Sequence, residues 1–207
     1  MMNSISAVIL AAGMSTRMGE CKPLIKHKGK TFLEHAIELA RSVEVFQIAI
    51  VVGHEKERIQ EQIQIQDSRL RWIYNPDYIK GQSYSLKAGW HSLGSSPGVM
   101  VFLADMPLIE KRTVNMIFEE GRKKLHQKSS FVVQPCHYGT KGHPVFFGHI
   151  GLDALELLEG DTGGKSLISS VPNYYGINID DKGIYRDFDT PEELNQLNSE
   201  VNVHDAL

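Results

Sequence analysis

Cysteine is scarce: the chain of 207 residues carries two, Cys21 and Cys136, with no CxxC pair between them. That excludes a disulfide scaffold and a cysteine zinc site, and it suits a reducing compartment. Positive charge is not in excess either. Twenty-two lysines and arginines against 25 acids leave a formal charge of −3, so no chain-wide basic field points to nucleic acid or a membrane surface. Long apolar runs are missing: AVILAA falls far short of the roughly 18 residues of a spanning helix. The opening MMNSIS lacks the cationic start of an export signal. No Ser, His and Asp set sits in a nucleophile elbow, and no His, Cys and carboxylate set has zinc spacing. The expectation is a cytoplasmic protein with neither a nucleic-acid nor a membrane partner.

What the chain does have is alternation. Apolar, β-branched runs (ISAVILA, FQIAIVV, LRWIY, GVMVFLA, SFVVQP) are separated by segments of helical period, the pattern of an α/β sheet. In TFLEHAIELARSV, the residues Phe32, Leu33, Ala36, Ile37 and Ala40 recur on one face, and Thr31 with Glu34 makes a capping box. EKERIQEQIQ, YSLKAGWHSL and RTVNMIFEEGRKKLHQ read as further helices. Continuously apolar strands imply burial on both faces, which predicts a three-layer α/β/α sandwich with a mostly parallel, mixed sheet. After residue 135 loops dominate: a short strand in PCHYGTKGHPVFFG, a helix in HIGLDALELLE, a glycine-rich turn opening a helix in GDTGGKSLISSV, and a hairpin or strand in DDKGIYRDF. The reading is one domain over 1–207, with residues 1–135 as a nucleotide-binding half and 136–200 closing over an acceptor.

The stretch AVILAAGMSTRMGECKPL, residues 7–24, runs from a strand into a loop with Gly13 and Gly19 six apart. Neither GxGxxG nor GxxxxGK[ST] fits it. The backbone amides of Ala12, Gly13 and Ser15, with the side chains of Arg17 and Lys22, stand where open α/β sheets bind ligands. Charged donors and turned amides suit a triphosphate. Asp105 ends the apolar run GVMVFLA and precedes Met106 and Pro107, where a carboxylate suits Mg²⁺ or simply bonds its own turn. Asp187 and Asp189 alternate on an expected strand and so share a face. One of them caps TPEE and the other is free for the metal, and spacing does not say which. GDTGGKS is not a P-loop, because its first glycine is displaced and a helix precedes it. It offers helix N-terminal amides with Asp161 nearby. In TKGHPVF, Lys141 and His143 flank Gly142, and a histidine before proline is held extended.

The opening LAAGMSTRMGECK resembles the signature LxAGxSxRMGxxK of nucleotidyltransferases with a GT-A-like, Rossmann-related fold. Within them the chain is most similar to the MobA-like family of molybdenum cofactor cytidylyltransferases and xanthine dehydrogenase maturation proteins. The segments that carry this are VVGH at 51–54, NPDYIKGQSYSLKAG at 75–89, LADMP at 103–107, KGHPVFFG at 141–148, GDTGGKSLI at 160–168 and DFDTPEEL at 187–194. The resemblance implies transfer of CMP from CTP to the terminal phosphate of molybdopterin with release of pyrophosphate. Ala12, in LAAG where guanylyl relatives have LAGG, implies CTP. Arg17, Lys22 and Asp105 are the implied catalytic residues, with Mg²⁺ on Asp105 and on Asp187 or Asp189. Leu10, Ala11, Ala12, Gly13, Ser15, Gly53, Asn75, Gly81, Ser83 and Ser85 are implied at the nucleotide. Lys141, His143 and Asp161 are implied at the pterin, and a xanthine dehydrogenase-like molybdoenzyme is the implied recipient. A sugar or other alcohol phosphate as acceptor, and a non-catalytic cofactor carrier, are the alternatives.

Overall fold

The computed structural model describes residues 5–16, 18–195 and 197. In chain order the elements begin with β1 (Ile5–Ala11), a small hairpin of β2 (Lys26–His27) and β3 (Lys30–Thr31), α1 (Phe32–Arg41), β4 (Ile48–Val52), α2 (Lys56–Gln62) and β5 (Leu70–Tyr74). They continue with α3 (Gln82–Ser92), β6 (Gly98–Leu103), α4 (Lys111–Lys124), β7 (Phe131–His137), β8 (Thr140–Lys141) and β9 (Val145–Gly148). Last come α5 (Leu152–Glu156), α6 (Lys165–Ser170) and β10 (Asn173–Asn178).

One sheet runs through the molecule in the order β10-β7-β9-β6-β1-β4-β5, with β8 hairpinned to β7. β1 pairs in parallel with β4 and β6, and β5 with β4. β9 runs antiparallel between β6 and β7. The sheet is therefore mixed but mostly parallel, as the apolar runs predict. A division after residue 135 falls inside β7, so the two halves share a strand.

β1, β4 and β7 are buried along their whole length, and successive side chains enter opposite cores. Ile5, Ala7 and Ile9 meet Leu33, Ile37, Val114 and Phe118 of α1 and α4. Val8 and Leu10 meet Leu86 and Trp90 of α3, Leu155 of α5 and Leu167 of α6. These are the two outer layers of the expected sandwich. The capping box of α1 is present: Glu34 N–H donates to Thr31 Oγ1 at 3.1 Å, and Thr31 N–H to Glu34 Oε2 at 2.7 Å.

One expectation is corrected. DDKGIYRDF is neither hairpin nor strand; it makes a 3-10 turn at Lys182–Tyr185 followed by irregular chain. The reason is Asp181, whose carboxylate accepts from Gly183 N–H at 2.8 Å and from Glu110 N–H and Thr113 Oγ1 at the start of α4. One edge of the sheet is β10, whose alternating burial leaves a weak apolar signal. Among the described residues no helix is long and apolar enough to cross a membrane.

Candidate functional site

Because β1, β4 and β6 are parallel, their C-terminal ends share one edge of the sheet. The chain proceeds from β1 to β4 and β5 on one side and then returns to β6 on the other, so the strand order reverses at β1. Ligands of open α/β sheets bind at such a point. A cleft of about 450 Å³ opens there. Leu10, Ala11, Ala12, Gly13, Ser15 and Thr16 line it from β1, and Leu103, Ala104 and Asp105 from β6.

The β1 loop is folded by its own hydrogen bonds. Met18 N–H donates to the Ser15 carbonyl at 3.0 Å, and Lys22 N–H to Ser15 Oγ at 3.0 Å. Ser15 itself takes φ of 53°. This turn brings Lys22, the first residue of a 3-10 turn, back over the end of β6. Its Nζ donates to Asp105 Oδ2 at 2.7 Å and also to Asp189 Oδ1. Burial alone lowers the Lys22 pKa, yet the net shift is upward, because Asp105 and Asp189 outweigh it. The ammonium is therefore held protonated.

Asp105, Asp187 and Asp189 each offer a carboxylate oxygen, all within 4.8 Å of one another. Asp187 is pushed above the usual carboxylate range, first by burial and then by repulsion from Asp105 and Asp189. The two C-terminal acids do not sit on a strand, as their alternation predicts; they meet Asp105 from an irregular extended run. Thr190 and Glu193 close a capping box of their own, and the Asp189 carboxylate turns to Lys22. Three oxygen donors with one lysine suit a hard divalent cation, so this donor set fits Mg²⁺ or Mn²⁺.

Other predicted residues divide. Gly81, Ser85 and Asp161 line the cleft with Lys22 and Asp189. Gly53, Asn75 and Ser83 do not; they are buried behind its wall. Asn75 spends its amide on Ser85 Oγ and on Asp77 N–H, both at 3.0 Å. A Cβ on Gly53 would lie 2.5 Å from Tyr78 Cγ, so this glycine seats a wall residue. Ser83 Oγ donates to the Glu159 carbonyl. Lys141 is exposed, with its Nζ 4.4 Å from the Tyr174 ring centre. It too is off the cleft, because pairing of β8 with β7 carries it to the sheet margin. His143 is held by donation of its N–H to the Ile184 carbonyl at 2.8 Å, outside the cleft lining. Its Nδ1 is buried without a partner among the described groups. Burial lowers its pKa, while the Val101 backbone and the Asp105 charge act upward. Arg17 lies outside the described residues. The wall formed by Tyr78, Ile79, Lys80 and Gln82 went unassigned; its only sequence signal is the turn-rich NPDYIKGQS.

Residues 7–174 match the MobA-like NTP transferase domain. The chain is 27% identical over 194 residues to the molybdenum cofactor cytidylyltransferase of Escherichia coli, covering 93% of this chain and 95% of that protein. It is 30% identical over 138 residues, 65% of this chain, to the bifunctional protein GlmU of Buchnera aphidicola, of whose length it spans 29%. Among solved structures, the manganese complex of Rv0371c from Mycobacterium tuberculosis superposes with a TM-score of 0.72 at 21% identity, over 94% of this chain and 97% of that one.

Proposed function

The chain belongs to the MobA-like NTP transferase domain family, and from that premise we propose that it is a nucleotidyltransferase that moves CMP from CTP to the terminal phosphate of a molybdopterin-type cofactor. The observation that carries the reading is the convergence of the β1 loop and the acids: Lys22 clamped by Asp105 and Asp189 on the floor of one cleft. The near full-length likeness to the cytidylyltransferase supports the acceptor.

In the proposed reaction an oxygen of the acceptor phosphate forms a bond to the α-phosphorus of CTP, and the bond from that phosphorus to the bridging oxygen breaks, releasing pyrophosphate. The nucleophile is already an anion, so no strong general base is needed. The protein brings two negative groups together and neutralises them. Turned amides of Ala12, Gly13 and Ser15 bind the phosphates, and Lys22, with Arg17, takes the charge that builds on the leaving group. Asp105, Asp187 and Asp189 would hold Mg²⁺, which supplies charge neutralisation at the phosphate oxygens. Ser85 and Gly81 border the nucleoside.

A second reading keeps this chemistry and changes the acceptor to a sugar or other alcohol phosphate. One observation favours it: of the three residues assigned to the pterin, Asp161 alone lines the cleft, while Lys141 and His143 do not. Purified protein with Mg²⁺, CTP and molybdenum cofactor should release pyrophosphate, and CTP should outcompete GTP and ATP. Release with sugar phosphates but not with the cofactor supports the second reading. No release with any of the four nucleotides overturns both and leaves a cofactor carrier.

A further inference from the structure

One wall of the cleft is anchored from the far half of the chain. Tyr78, Ile79 and Lys80 form a 3-10 turn that passes through Gly81 into α3. Tyr78 packs against Gly53 and the core, but none of the three residues is buried, and Ile79 is 67% exposed. The helix that follows has Gly81 at its N-cap and no capping side chain from its own segment, although the first amides of a helix lack intrahelical partners. Asp161 supplies the missing acceptor. Its Oδ1 takes the Gln82 N–H at 3.0 Å, and its charge faces the positive pole of α3. Two further contacts bring the same loops together. The buried Ser83 Oγ donates to the Glu159 carbonyl at 3.1 Å. Gly81, at φ of 115°, approaches Gly160 so closely that a Cβ would stand 2.4 Å from the Gly160 carbonyl.

We propose that Asp161 is a positioning residue: by capping α3 it fixes the wall of residues 78–82 and so sets nucleotide affinity from the acceptor side of the cleft. The inference rests on the nucleotidyltransferase reading for the identity of the ligand, but not for the lock itself. It assigns Asp161 to the nucleotide wall through Gln82, and removes it from direct contact with the acceptor. Asparagine keeps a carbonyl oxygen at the same place and caps helices about as well as aspartate, whereas alanine offers none. The two variants therefore separate the cap from the charge.

Hydrogen exchange on the nucleotide-free protein tests the lock, and calorimetric binding of CTP with Mg²⁺ tests its consequence. In Asp161→Ala the amides of residues 81–84 should exchange faster than in the wild type, and the CTP Kd should rise about three- to tenfold. Asp161→Asn should restore both to within about twofold. Unchanged exchange in Asp161→Ala overturns the lock. Faster exchange with an unchanged CTP Kd, or a rise in acceptor KM alone, overturns the assignment to the nucleotide wall. A wild type that binds none of the four nucleotides overturns the functional reading, and the exchange measurement still decides the lock.

Discussion

Among the described residues Lys22 touches two of three clustered carboxylates, and this balance of charge sets the chemistry of the site. Asp187 is pushed towards its protonated form first by burial and then by the charges of Asp105 and Asp189, with Lys22 acting the other way. A divalent cation binding there competes with the ammonium for Asp105 and Asp189. Lys22→Met should therefore lower turnover by about a hundredfold or more, the worth of one charged donor at a developing anion, while tightening Mn²⁺ binding to the nucleotide-free protein. Electron paramagnetic titration of free Mn²⁺ reads the second effect, and weaker binding in the variant would show that the lysine is not a competitor. Asp105→Asn should abolish turnover to a similar degree and weaken Mn²⁺ binding in the same titration. At this scale the sequence offers the acids and the lysine as candidates, with Asp105 open between a metal and its own turn; their convergence on one another is what the structure adds. Gly53, Asn75 and Ser83 are buried off the cleft lining; sequence spacing does not distinguish a residue on the wall from one that braces it.

Elements are held to one another by pairings that local pattern does not announce. Asp67, in the connection before β5, accepts from Arg69 N–H, Nε and Nη2 and from Arg41 Nε at the end of α1. Arg69 first, then Arg41, holds its carboxyl well below the usual carboxylate range. A depressed folded-state pKa stabilises the fold above the unfolded carboxylate's value near about 4 and is lost as pH falls through the folded one. Asp67→Asn should therefore cost about 1–2 kcal/mol at pH 7. That gap should hold down to about pH 5 and close in more acid solution, as urea unfolding at a series of pH values would record. A gap that widens towards acid pH would refute this sign. Gly121 in α4 poses the opposite contest. Alanine is the better helix former by about 1 kcal/mol, but its Cβ would lie 2.3 Å from the ring of Phe146, a fully buried side chain stacked on Phe131. Overpacking costs about 1–3 kcal/mol, so Gly121→Ala should lower the melting temperature. A rise would mean that the ring yields. Of the strands legible in the sequence, β1, β4, β6 and β7 are buried on both faces, where an unbroken apolar run is a physical necessity, while β5, partly exposed at the sheet edge, keeps an apolar run in LRWIY. β10 was missed for the converse reason: an edge strand with one covered face alternates, and NYYGIN alternates between tyrosine, glycine and asparagine.

At the scale of the whole molecule, the position of β9 decides how the chain unfolds. Among the described residues it is the one antiparallel strand on the main path of the sheet, and it stands between β6 and β7, so there β5, β4, β1 and β6 join β7 and β10 only through residues 145–148. The larger core mixes both halves in the same way: Phe146 and Ile179 pack in one cluster with Ile9, Ile37 and Met100. The sequence shows a change of texture near residue 135 but cannot show this interleaving, because strand order is set by pairing that crosses long stretches of chain. A chain cut after residue 135 would lose the strand that seals β6 to β7 and expose two apolar strand edges, a template for aggregation. Residues 1–135 alone should therefore be insoluble or unfolded, and the intact protein should melt in one cooperative step. Scanning calorimetry should give a van't Hoff enthalpy equal to the calorimetric one, about 140 kcal/mol near 60 °C for a chain of this size. Two resolved transitions, or a soluble 1–135 fragment with dispersed amide resonances, would mean that the nucleotide half folds by itself. Coupling between the two sides of the cleft would then have to come from loop contacts such as Asp161 with Gln82, and not from a shared sheet.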